Sequence, residues 1–174
     1  PLGEAHLARD NFYHLARWAQ AAEGRPFTVD ACASKSTAQR LPGQASQLRY
    51  VPRFPDATGK RMEETNVFAQ DLSTQFAYIY PPAPIAEQVY AHARAQGGSF
   101  VLVLARDESG RVVTGGSRRS ARLSEIVRST PERDRLIVAR AGTPYLRVPS
   151  GDVGSWRTIA PPTELIAILV RHAS

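Results

Sequence analysis

Two short stretches of the chain place polar groups where an apolar run ends, which is where chemistry on a sheet is done. The first, "FTVDACAS", closes on Asp30 and follows it with the small residues Ala31, Cys32, Ala33 and Ser34. The second, "FAYIYPPAPI", carries an apolar run through Tyr80 directly into Pro81 and Pro82. In open α/β sheets ligands bind in the crevice beyond the carboxyl ends of the strands, so the two stretches could line one site from opposite sides. An acid there could hold a ligand's donors or cap a loop amide, and a phenol offers a single acceptor on a long arm. Asp71, just before "LSTQ", is either a turn former or a second acid for that site. A third group is basic. Arg111, Arg118, Arg119, Arg122 and Arg128 gather around "TGGSRRS", where guanidinium groups and backbone amides could meet a phosphate or simply coat a solvated loop.

Other chemistries find less support. His6, His14, His92 and His172 are scattered, with no serine or cysteine elbow beside them. Cys32 is the one cysteine, which excludes an internal disulfide, and it reads as a small buried hydrophobe. No Cys/His spacing suits zinc, so no metal site is expected. Asp30, Asp71 and Glu63 or Glu64 could form a carboxylate metal cluster of the RNase H kind, but the chain lacks the antiparallel opening strands that such a fold needs.

The elements that would position these residues are legible from periodicity. Leu7, Phe12, Leu15, Ala16, Trp18 and Ala19 follow helical spacing, and the helix over residues 9–23 should stop at Gly24. A buried strand is expected at "FTVDACA", then a long irregular connection over residues 34–64, then a strand at "FAYIY". Pro84 suits a first helical position, Ile85, Val89 and Ala93 continue a helix, and Gly97-Gly98 ends it. "SFVLVLA" is apolar on both faces, as a central parallel strand would be. Strand, helix, strand makes a βαβ unit. Beyond it lie a short helix at "LSEIVRS", late strands at "RLIVAR" and "YLRVPS" about a turn at Gly142-Thr143-Pro144, and "TELIAILVRH", whose composition fits helix or strand. The pattern is that of a three-layer α/β domain on a mostly parallel sheet.

In this order and spacing, "FTVDACAS", a proline-rich polar loop, "FAQDLSTQFAYIYPPAPI" and "GGSFVLVLA" resemble the phage-type DNA adenine methyltransferases and the methyltransferase-like domains of DIRS-type tyrosine-recombinase retroelements. The likeness spans residues 27–105, with "DNFYHLARWA" matching a preceding helix. It implies a Rossmann-like, S-adenosylmethionine-dependent methyltransferase fold. It would put Asp30, Ala31, Ser34 and Asp71 near the cofactor and residues 80–83 at the catalytic tetrapeptide. That tetrapeptide is Asn/Asp-Pro-Pro-aromatic in the family. Its amide or carboxylate and a proline carbonyl accept the hydrogens of the target amino group, and the aromatic stacks on a base taken out of the duplex. Here Tyr80 replaces the amide or acid, Ala83 replaces the aromatic, and no Gly-x-Gly stands near Asp30. The resemblance therefore implies the fold with its methyl transfer lost.

Bulk composition is compatible with that expectation. The 174 residues carry a net charge of +6 and are 43% hydrophobic, enough for one core, so a single domain is expected over residues 1–174, with residues 1–3 set apart as a tag remnant. Excess positive charge favours a polyanionic partner, although only Lys35 and Lys60 among 22 basic residues are lysines, a bias that genome composition alone can produce. The longest apolar runs fall well short of the ~20 residues that span a bilayer. The expectation is a catalytically degenerate domain of mobile-element origin, in nucleus or cytoplasm, bound to nucleic acid or to a protein and with no cofactor. The alternatives are an active DNA or RNA adenine methyltransferase that uses S-adenosylmethionine, and a pure protein-interaction module.

Overall fold

A computed structural model describes residues 5–34, 36–50, 67–151 and 154–172. Helix α1, Arg9–Glu23, buries Phe12, Leu15, Ala16 and Ala19 along one stripe. It ends where Gly24 takes φ 83° and returns its N–H to the Gln20 carbonyl. The strand predicted at "FTVDACA" is shorter than its apolar run: β2 is only Val29–Asp30, although Thr28 and Ala31 extend its bonding to the Phe76 and Tyr78 carbonyls, each at 2.9 Å. Within the predicted irregular connection lies the short strand β3, Arg49–Tyr50; the rest of it from residue 51 on, together with residues 65–66 and Lys35, is outside the described residues. Strand β4 is Ala77–Ile79. A 3-10 turn, Ala83–Ile85, then leads into helix α2, Ala86–Gln96, which stops at Gly97 with φ 82°.

Strand β5, Phe100–Arg106, is the spine of the sheet. On one side of it β3, β2, β4 and β5 are neighbours in that order, and every pairing among them is parallel. On its other side everything is antiparallel. Strand β11, Glu164–Val170, pairs with β5 along its whole length and with β8, Arg135–Ala139, at the far edge. A hairpin of β6, Val112–Gly115, and β7, Arg118–Ser120, hangs from the carboxyl end of β5 and feeds helix α3, Ala121–Ser129. The mostly parallel sheet expected from the sequence is thus corrected to a mixed one. The physical reason is β11: its ambiguous apolar run forms a strand, inserted between β5 and β8, because both of its faces meet cores.

Alternation along the strands makes those two cores. Phe100, Leu102, Leu104, Ile166 and Ile168 point to the face covered by Ala86, Val89 and Ala93 of α2 and Leu123 and Val127 of α3. Val101, Val103, Leu165, Ala167 and Leu169 point to the face covered by α1. On that second face Phe12 meets Tyr78 edge-on at 4.9 Å, and Phe27 lies 4.9 Å from Phe76. No helix of the described residues is long and apolar enough to cross a membrane.

The two strands predicted about the Gly142 turn exist but do not pair with each other. β9, Leu146–Pro149, leaves the large sheet and forms a small antiparallel one with β1, His6–Leu7, and β10, Trp156–Ile159. Fully buried Tyr145, whose hydroxyl bonds the Thr163 carbonyl at 3.0 Å, fixes that departure.

One glycine is demanded by close approach. A Cβ on Gly98 would fall 2.3 Å from the Leu72 carbonyl oxygen, inside the turn that delivers the chain to β5. Gly98→Ala should therefore destabilise the domain by about 2–3 kcal/mol, read as a lower urea midpoint at unchanged slope.

Candidate functional site

The order β3-β2-β4-β5 has its reversal between β2 and β4: the chain leaves β2 toward β3 and leaves β4 toward β5. Such a switch point is where an open α/β sheet forms its crevice. Asp30 ends β2 there, and Tyr80, Pro81 and Pro82 follow β4 there, with Asp30 opposite Tyr78 in the parallel register. The structure thus brings the two sequence-predicted stretches together.

Asp30 does not face an open ligand space. It is buried, and its Oδ2 accepts the Gln39 N–H at 3.1 Å. Burial pushes its carboxyl up to about 7, against the opposing pull of the Gln39 and Cys32 amides. The acid is therefore an anchor for the loop after β2. Ala31 is fully buried and bonds the Tyr78 carbonyl at 2.9 Å, while Ser34 closes a turn, its N–H donating to Thr37 Oγ1 at 2.8 Å. The Tyr78 phenol is pushed well up, first by burial and then by the Asp30 charge.

Tyr80 is half-buried by area, but protein crowds its phenol end; desolvation raises its ionisation well above the ordinary range, and the Tyr145 phenol adds to this. Pro81 is buried, and the Pro82 carbonyl accepts the Ile85 N–H at 3.1 Å to start the 3-10 turn. Between Asp30 and Tyr80 there remains a cavity of about 10 Å³, walled by Cys32, Thr37, Gln39, Tyr78 and Tyr80. An apolar cavity of about 160 Å³ lies beyond, against Cys32, Tyr80, Pro81, Pro82, Val113 and Leu146. Both fall below the roughly 300–1,000 Å³ of ordinary small-molecule pockets.

Asp71 is not brought to this site. It precedes β4, at the opposite end of the sheet from Asp30, and accepts from the Ser73 N–H at 2.9 Å and the Ser73 hydroxyl at 2.6 Å. Those bonds hold its carboxyl below the usual range, the hydroxyl first. It is a turn former. Glu63 and Glu64 lie outside the described residues.

The basic group divides. The β6–β7 hairpin does reach the carboxyl end of the sheet, where Gly115 lies against Pro84. Arg119, however, is paired with Asp107 at 2.8 Å, and Arg111 approaches the same carboxylate at 3.9 Å. Arg119 first, then Ser109 and the Arg111 N–H, hold the Asp107 carboxyl well below its ordinary range. Arg128 sits in the last turn of α3, paired with Glu125 at 2.7 Å. Arg118 and Arg122 are exposed and form no ion pair among the described residues.

Sequence reasoning missed the anchoring role of Gln39. Besides meeting Asp30, this nearly buried residue donates its side-chain amide to the Leu7 carbonyl at 2.9 Å, tying the loop after β2 to β1. Ser120 was equally unmarked: it caps α3 through the Leu123 N–H at 3.0 Å and donates to Glu87 of α2. A serine opening a helical pattern is a recognisable cap, but its cross-helix partner is not local. No family model, no curated protein and no solved structure matches this chain.

Proposed function

We propose that the chain is a methyltransferase-like α/β domain of mobile-element ancestry that has lost methyl transfer and binds nucleic acid. One observation carries this reading. Asp30 and residues 80–82 meet at the switch point of the sheet, as the motif order implies, yet the concavity that Asp30 and Tyr80 line together holds only about 10 Å³. The parallel run β3-β2-β4-β5, with helices on both faces of the sheet, supports the Rossmann-like assignment. Nucleic acid as partner is supported by the net charge of +6 and by exposed arginines, Arg9, Arg40, Arg118 and Arg122, that form no ion pair among the described residues.

The chemistry agrees with loss of catalysis. To sharpen an amino group's lone pair, the acceptor must be a short amide or carboxylate; Tyr80 supplies a phenol held among protein groups, and Ala83 supplies no stacking face. The test is incubation with methyl-labelled S-adenosylmethionine and adenine-containing DNA or RNA, single- and double-stranded, beside a mobility-shift measurement on the same samples. The expected result is a shifted band with no label above the protein-free blank. Sustained incorporation would overturn the degenerate assignment, and absence of any shift at low salt would overturn the nucleic-acid partner.

A further inference from the structure

A second concavity adjoins the switch-point crevice, sharing His6, Thr37 and Gln39 with it. It is an open groove of about 1,090 Å³, walled by the start of α1, by the loop over residues 36–47 and by the small sheet of β1, β9 and β10. Its charge is lopsided. Among the described residues Arg9, Arg40 and Arg147 line it, with Asp10 as the one carboxylate. These arginines come from three segments distant in sequence, so no basic run announces them.

Two further properties narrow the ligand. The walls are held in place: Gln39 ties the loop to β1 and to Asp30, Leu48 N–H bonds the Gln39 carbonyl at 2.8 Å, and Arg147 reaches Thr158 across the β9–β10 pair at 3.3 Å. A pre-formed groove spares a ligand much of the ordering cost of binding. Tyr13 also lines the groove; its ring packs partly against the core under α1 and has the Arg17 guanidinium over it, 5.8 Å from the centroid. A cationic concavity combined with a stacking ring is the arrangement that tracks an unpaired nucleic-acid strand, phosphates on the guanidinium groups and a base on the ring.

We infer that this groove is the nucleic-acid site of the domain and that its ligand is single-stranded. The inference rests on the nucleic-acid reading above, and it assigns the contact to Arg9, Arg40, Arg147 and Tyr13 instead of to Arg118 on the hairpin and Arg122 on α3. Fluorescence anisotropy of the full chain with labelled oligo-dT of about twelve nucleotides tests it, at salt from about 50 to 200 mM. Three variants are compared with the unaltered chain: Arg9→Gln with Arg40→Gln, Tyr13→Ala, and Arg118→Gln with Arg122→Gln. All these arginines are exposed, and circular dichroism verifies folding.

The first variant should bind about tenfold or more weakly, and its plot of log affinity against log salt should flatten by about 1.4, or 0.7 for each phosphate contact removed. Tyr13→Ala should weaken binding about fivefold or more, with Tyr13→Phe restoring it. The Arg118/Arg122 variant should stay within about twofold, because Arg118 and Arg122 lie outside the groove. If the Arg118/Arg122 variant loses binding and the Arg9/Arg40 variant does not, the groove assignment falls while the nucleic-acid function stands. Equal affinity for a duplex of the same length, with no effect of Tyr13→Ala, overturns the single-strand assignment. No binding by the unaltered chain at low salt removes both the function and the site.

Discussion

Between pH 5 and pH 8 the domain should lose about 2–3 kcal/mol of stability through Asp30 alone, and Asp30→Asn should remove that loss. The sign follows from where the proton sits. An unfolded chain releases it near pH 3.8, but burial in the folded chain holds it up to about 7. Between these values the folded state binds more protons than the unfolded one, so stability is full at the acid end and declines as pH rises toward the folded value. Each unit of that interval corresponds to about 1.4 kcal/mol. Asparagine keeps an acceptor for the Gln39 N–H while removing the charge that must otherwise be buried. Urea midpoints at pH 5, 6, 7 and 8 check this; a flat profile for the unaltered chain, or an unchanged slope in Asp30→Asn, would contradict it.

Leu102→Ala should cost about 3–4 kcal/mol at any pH in that range. Leu102 is fully buried in the middle of β5, between Ile79 on β4 and Ile168 on β11, and all three side chains belong to the core under α2 and α3. The hole would be walled by neighbouring strands, which the ladders on both sides prevent from collapsing inward. A cost below about 1 kcal/mol would show that this row is not packed as described. The same experiment probes β11, since Leu102 faces Ile168 only if the final apolar run is the inserted antiparallel strand.

Where the sequence was legible, the information was local. Gly24 and Gly97 mark the ends of α1 and α2, and the uninterrupted apolar run of β5 identifies a strand buried on both faces. Where it was not, a distant partner decides. β11 contains Glu, Leu, Ala, Ile and Val in proportions that suit either helix or strand, and only the open edges of β5 and β8 settle the matter. β8 and β9 resemble the arms of one hairpin, yet Tyr145 is drawn under the chain at Thr163 and sends β9 into another sheet.

The site shows the same division. That Asp30 and Tyr80 end neighbouring strands was readable, because each closes an apolar run. That Asp30 is spent on Gln39, nine residues on, required the loop's fold. The basic stretch carries less net charge than its arginine count, for a reason visible in the sequence. Asp107 precedes Arg111 by four residues and Glu125 precedes Arg128 by three, so acids within the segment quench much of its charge. The groove arginines converge only in three dimensions.

Calorimetric titration of the intact chain with S-adenosylmethionine tests most directly whether the switch-point crevice has closed. With only about 10 Å³ in the concavity that Asp30 and Tyr80 line together, no saturable heat is expected up to millimolar cofactor. A saturable isotherm in the micromolar range would show a working cofactor site and contradict the account.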